Sequence, residues 1–257
     1  SVVTRGERDI LQVFEGGRKV FIPFLVAGDP NRAASRQAMR AVLEHADILE
    51  IGLPFSDPLA DGPVIQRGSQ RALSKADWGL GEVLGEAAWL RRQGIRKPLI
   101  LFTYANPLLQ GLHHLRAGRR SPFSGAVVPD LPEDEAPRFR KRLNGAGVAL
   151  INLVAPTTPP ARLRRVAGAS QGFIYLVSVA GVTGGRRALP PEIPARVRAL
   201  RKVSRLPVAL GFGVSSPAMA GAVAKITDGV VVGSAMVQEV EKHRGRPAAA
   251  LARRVGA

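Results

Sequence analysis

Eight short apolar runs recur along the chain, each bounded by Gly or Pro or close to them, and segments with helical apolar spacing lie between them. The runs are Phe21 to Val26, Ile48 to Ile51, Leu99 to Tyr104, Ala126 to Val128, Ala149 to Val154, Phe173 to Val177, Val208 to Gly211 and Val230 to Val232. Ala38, Val42 and Leu43 show the intervening helical spacing, as do Val83, Leu84, Ala87 and Leu90, and later Ile193, Val197 and Leu200. Strands that alternate with helices pair in parallel, because each crossover returns the chain to the same edge. Eight such units predict an α/β fold closed into a (β/α)8 TIM barrel, and 257 residues suit one such domain over 1–257. An additional helix from Arg8 to Glu15, stopped by Gly16-Gly17, precedes the first strand and is expected to cover the lower mouth of the barrel.

The second run carries a carboxylate. Alternation along Ile48-Leu49-Glu50-Ile51 puts Ile48 and Glu50 on one face and Leu49 and Ile51 on the other. In a parallel sheet both faces are buried, so Glu50 is expected to be desolvated, at a cost that a structural role alone must justify. The loops after the strands build the active site in such barrels. Here they are rich in Gly, Pro and small polar residues: Ala27-Gly28-Asp29-Pro30, Gly52 to Pro63, Ala105-Asn106-Pro107, Pro129-Asp130-Leu131-Pro132, and the later turns. The segments that lead into the strands, such as Arg96-Lys97-Pro98 and Arg205-Leu206-Pro207, are plainer, which points to one functional rim.

Gly211-Phe212-Gly213 and Gly233-Ser234 follow the seventh and eighth strands, where barrel enzymes commonly hold phosphate on backbone N–H groups and a helix N-terminus. Gly184-Gly185 could add further N–H groups. Schiff-base chemistry needs an interior lysine, and all seven lysines fall in helical or lower-edge segments. Metal-dependent chemistry needs clustered ligands, but His113 and His114 are adjacent, expected to point apart on a helix, and stand far from His45 and His243. For proton transfer the rim then offers Glu50, Asp61, Asp130, Tyr104 and Tyr175, with Asp57 and Asp29 as lesser candidates. Burial should raise the pKa of Glu50 towards a useful general acid and base, while Asp61, in a wetter loop, should stay an anion. A structural ion pair for Glu50 and a helix cap for Asp61 remain open on this reading.

Lys and Arg number 37 against 20 Asp and Glu, for a formal net charge of +17. The basic residues are spread over all the helical segments and aromatics are sparse at 5%, which argues for a solvated basic shell rather than a dedicated nucleic-acid surface. The chain has no cysteine, so disulfides and thiolate sites are excluded. No secretory core or membrane span is read, and a soluble, cytoplasmic protein is expected.

The stretches Phe21 to Pro30, Glu50 to Pro63, Val128-Pro129-Asp130-Leu131-Pro132, Leu153 to Thr158, Gly181-Val182-Thr183-Gly184, Gly211-Phe212-Gly213 and Val232-Gly233-Ser234-Ala235 together resemble the tryptophan synthase alpha subunit family. The resemblance implies retro-aldol cleavage of indole-3-glycerol phosphate to indole and glyceraldehyde 3-phosphate, in the last steps of tryptophan biosynthesis. It assigns proton shuttling to Glu50, the indole N–H to Asp61, and an active-site role to Tyr175. Phe21, Tyr104 and Phe212 become walls of the indole pocket, and Gly184, Gly213, Gly233 and Ser234 become phosphate ligands. Thr183 would close over the site. The implied partner is a beta subunit carrying pyridoxal phosphate in an α2β2 assembly, with no cofactor in this chain. A free-standing lyase and a non-catalytic phosphate-binding regulatory barrel are the alternatives. Two features depart from the family: the basic balance, and a stretch from Gln110 to Ser124 that is short and rich in arginine.

Overall fold

The computed structural model describes residues 3–177, 189–211, 213–214 and 216–256. Strands β1 (Val20–Val26), β2 (Leu49–Gly52), β3 (Leu99–Phe102), β4 (Gly125–Val127), β5 (Ala149–Ile151), β6 (Leu153–Val154), β7 (Ile174–Val177), β8 (Val208–Gly211) and β9 (Gly229–Val232) form one sheet. Every neighbouring pair is parallel, in the order β5-β4-β3-β2-β1-β9-β8-β7-β6. The two outer strands of that order are separated in sequence by Asn152 alone, so one continuous run pairs with β4 at its start and β7 at its end. That run closes the barrel. Each of the eight expected runs is found, the fifth split in two.

The split has a local cause. The turn before β7 inserts side chains into the ladder: Gln171 Oε1 accepts from Leu150 N at 3.0 Å and Ser170 Oγ from Asn152 N at 2.9 Å. Tyr175 N then donates to the Asn152 carbonyl at 3.1 Å, so the backbone groups stay satisfied as the strand changes partner.

Period-two alternation sorts the strand residues into two cores. Ile22, Phe24, Ile48, Ile100, Phe102, Val127, Ile151, Phe173, Tyr175 and Val231 fill the interior. Leu25, Leu49, Ile51, Leu99, Leu101, Leu150, Leu176 and Leu210 face outwards onto the helices. The outer layer contains α2 (Arg32–Leu43), α3 (Pro63–Leu73), α4 (Leu80–Arg92), α5 (Ala105–Gly111), α6 (Ala136–Gly145), α7 (Pro160–Ala169), α8 (Glu192–Val203), α9 (Pro217–Ile226), α10 (Ser234–Lys242) and α11 (Pro247–Gly256), the last packed on α2.

Helix α1 (Arg5–Phe14) starts at Thr4, whose hydroxyl accepts from Glu7 N at 3.0 Å. Its buried Ile10 and Phe14 enter the lower end of the interior core, with the Phe14 ring 5.8 Å from that of Phe173. Gly6 makes this approach possible: a Cβ there would lie 1.9 Å from the Ser124 carbonyl oxygen. The lower mouth is therefore covered by α1, as its sequence position implies.

Candidate active site

Parallel pairing sets Glu50 on β2 level with Phe24 on β1 and Ile100 on β3. All three face the interior. Glu50 is 1% exposed, and its Oε2 has no hydrogen-bond partner among the described residues. Desolvation, reinforced by the nearby charge of Asp61, pushes its pKa up to about 8. Among the described residues no cation neutralises it, so the open alternative of a structural ion pair has no support there.

Asp61 lies in the loop between β2 and α3, and the position of that loop depends on Tyr104. The Tyr104 hydroxyl accepts from Ala60 N at 3.0 Å and hydrogen-bonds the Asp61 carboxylate. Its ring also stands 5.4 Å from that of Phe55 in the same loop. Gln66 Nε2 holds the Asp61 carbonyl at 2.8 Å, and Gly62 and Pro63 then begin α3. The loop is drier than the sequence suggests: burial, partly offset by the Tyr104 hydroxyl, pushes the Asp61 pKa up to about 6. At neutral pH Asp61 is still mostly an anion.

Tyr175 projects from β7 into the same interior, and the charges of Glu50 and Asp61 add to burial in pushing its phenol pKa well up. Its ring lies across the end of β8, where a Cβ on Gly211 would meet the Tyr175 hydroxyl oxygen at 2.6 Å. Glycine at that position is a packing requirement.

The expectation for Phe21 fails. Phe21 packs with the outer core, because Val20, Ile22, Phe24 and Val26 are the members of β1 that point inwards. The ring level with Glu50 is that of Phe24, which stands 5.6 Å from Phe102 and edge to face with it, with Tyr104 next at 6.2 Å from Phe102. Phe24 also lies against Gly52 and leaves no room there for a Cβ, which would come within 2.5 Å of its ring. Strand parity, Pro23 to one side and Phe24 to the other, was the signal that identifies it.

On the rim, Gly213 has φ +80°, a left-handed conformation that favours glycine. Gly233 precedes α10, and Ser234 is its exposed first residue. The first N–H groups of such a helix lack intrahelical acceptors and are available to an anion. Asp130 is exposed and away from the interior; its Oδ1 accepts from Ala105 N at 2.8 Å and caps α5. Thr183, Gly184 and Phe212 lie outside the described residues. His113 and His114 share a short 3-10 turn with ring centroids 4.0 Å apart, rather than pointing away from each other on a helix. Among the described residues no cluster of His, Cys, Asp and Glu could hold a metal ion.

Beneath the rim a buried ion network ties three elements together. Arg71 on α3 forks Asp29 at 2.7 and 2.8 Å, and reaches Glu241 on α10 at 2.9 Å; Arg67 forks the same Glu241 at 2.7 and 2.9 Å. Asp29 is 3% exposed, and its burial raises its pKa despite Arg71. Replacing Arg71 with Met strands that carboxylate, and is expected to lower stability at pH 7 by about 3 kcal/mol. Urea unfolding at pH 7 and pH 5 checks it: the deficit should narrow at the lower pH, where a proton neutralises Asp29.

The profile of the family described as tryptophan synthase alpha chain matches residues 11–255. The tryptophan synthase alpha chain of Carboxydothermus hydrogenoformans is 44% identical over 230 residues, covering 88% of this chain and 85% of that one. That of Geobacillus kaustophilus is 46% identical over 231 residues, covering 87% and 84%. The solved tryptophan synthase A-subunit of Pyrococcus furiosus superposes with a TM-score of 0.83 at 33% identity, over 92% of this chain and 96% of that one. A barrel of this closure, with an unpartnered acid inside and glycine turns on its rim, and with relatives this similar along most of its length, belongs to the tryptophan synthase alpha chain family.

Proposed function

We propose that this chain cleaves indole-3-glycerol phosphate, with Glu50 as the proton shuttle and Asp61 as the anchor of the indole nitrogen. The observation that carries this reading is the unpartnered Glu50 carboxyl, buried within the field of Asp61. At pH 7 a pKa of about 8 leaves Glu50 mostly protonated, and one of about 6 leaves Asp61 mostly ionised. Glu50 first gives its proton to indole C3, and the positive charge that develops on the ring nitrogen is met by the Asp61 carboxylate. Glu50, now a carboxylate, takes the proton of the hydroxyl on the carbon attached to C3. The bond between that carbon and C3 breaks, its electron pair returns to the ring, and indole and an aldehyde separate. Glu50 ends protonated, ready for another turnover.

Phe24, Phe102 and Tyr104 would flank the indole. Gly213, Gly233, Ser234 and the N-terminus of α10 would hold the phosphate, with Gly184 added from the loop before α8. Tyr175 would pack beside the reacting carbon, Phe212 would be a further wall of the indole pocket, and Thr183 would act in closing the site. The chemistry uses the proton relay alone. As an alpha chain, the protein has a beta chain as its partner, and we propose an α2β2 complex in which the beta chain carries pyridoxal phosphate and takes up the indole. No helix among the described residues is long and apolar enough to cross a membrane; the cytoplasm is the proposed location.

Because the relay starts from protonated Glu50 and ionised Asp61, kcat/KM should be bell-shaped, with limbs near 6 and near 8. A pH series of indole release tests this: a missing limb would remove the carboxyl that titrates there from the mechanism, and a flat profile from 5 to 9 would remove both. The experiment for the function itself is indole release from indole-3-glycerol phosphate, alone and with a beta chain added. No indole under either condition overturns the reading.

A further inference from the structure

The surplus of arginine is not consumed at the catalytic rim. Part of it converges at the opposite end of the barrel, around a cavity of about 420 Å³ lined by Arg5, Arg91, Arg92, Arg96 and Arg120, with Asp9 as the one carboxylate. The lining comes from separate parts of the chain: the start of α1, the end of α4 and the turn after it, and the arginine-rich segment before β4.

The five arginines are not equivalent. Arg91 is committed to the framework: it donates to the carbonyls of Pro122 at 3.0 and 2.7 Å, of Ile95 at 3.1 Å and of Lys97 at 2.8 Å. Arg5 stands 3.7 Å from Asp9. The side chains of Arg92, Arg96 and Arg120, all exposed residues, make no hydrogen bond or ion pair with any described residue. The C-terminal dipole of α4 accounts for cations at Arg91 and Arg92, which lie in its last turn. It does not account for Arg96 and Arg120, which lie beyond that helix and face the same space.

Three uncompensated guanidinium groups around one hollow repel each other, and an anion of several charges would relieve that repulsion. Arginine forks fit phosphate oxygens two at a time. The volume suits a small molecule. Nucleic acid fits less well, because the only aromatic side chain in the lining, Phe123, is 3% exposed and offers no stacking face. We propose that this lower cavity binds a small compound carrying two or more linked phosphates, at a site separate from the catalytic rim and linking α1 to α4.

The test titrates the full chain with inorganic pyrophosphate by calorimetry, at constant ionic strength and with glycerol 3-phosphate saturating the rim. Saturable binding of one pyrophosphate per chain is expected, with a raised Tm. Arg92→Ser with Arg96→Ser and Arg120→Ser should weaken it at least about tenfold, and Arg120→Glu alone should weaken it too. Turnover of indole-3-glycerol phosphate should not change in either variant. Absence of saturable binding, or binding undiminished in Arg120→Glu, overturns the proposal. So does a single-stranded RNA that expels pyrophosphate at physiological salt, which would make the patch a nucleic-acid surface.

Discussion

Glu50→Gln lowers cleavage of indole-3-glycerol phosphate by about 10²- to 10⁴-fold while the barrel stays folded. The amide keeps the shape of the side chain but can neither release a proton to C3 nor collect one from the hydroxyl, so kcat falls and substrate affinity is little changed. Stability moves the other way. The folded pKa of Glu50, about 8, lies above its ordinary 4.5, so the native chain holds a proton that the unfolded chain gives up. Unfolding stability therefore falls as pH rises between those two values, and the fall is complete above the higher one. Glu50→Gln removes this fall, and the variant should be more stable than the parent at pH 9 and close to it at pH 4. Urea unfolding at both pH values, next to single-turnover indole release, separates the two effects. Undiminished turnover would take Glu50 out of the chemistry, whatever the stability result.

Asp61→Asn is expected to cost about 10²-fold in kcat, since it removes the charge that meets the developing positive nitrogen. It has a second consequence that a merely structural loop residue would not produce. Asp61 is one of the two causes that raise Glu50, so its neutral replacement should move the alkaline limb of the pH profile to lower pH. The acid limb near 6 should disappear with the group that titrates there. A variant with reduced turnover and an unmoved profile would mean that Asp61 only shapes the loop. Tyr104→Phe serves as a control: it withdraws the hydroxyl that the Ala60 N–H and the Asp61 carboxylate share, and leaves both carboxyls in place.

Glu50 was legible in the sequence because a parallel strand buries both faces, and an acid in such a run has nowhere wet to go. The glycine turns at the ends of the last two strands were legible from residue type alone, and their phosphate role rests on the proposed function. Phe21 was misread for Phe24 by one kind of error, the choice between the two faces of β1. Residues one apart on a strand face opposite sides, and the in-facing set Val20, Ile22, Phe24 and Val26 fixes the side. The upward shift of the Asp61 pKa was out of reach for a different reason. Burial, its largest cause, comes only with closure of the barrel, and Tyr104, whose hydroxyl partly offsets it, stands 43 positions away in sequence.

By itself, then, the sequence determined the alternation of strands and helices, their parallel closure, the glycine- and proline-rich loops at one end of the barrel and the buried acid on the second strand. Those follow from periodicity and from residue types that act within a few positions of each other. Tertiary structure alone decided that the fifth run changes partner at Asn152, that Phe24 stands level with Glu50 and packs on Phe102, that Asp130 caps a helix, and that Asp61 is half dry. Each of these depends on groups brought together by closing the barrel, and desolvation and charge act through that space and not along the chain.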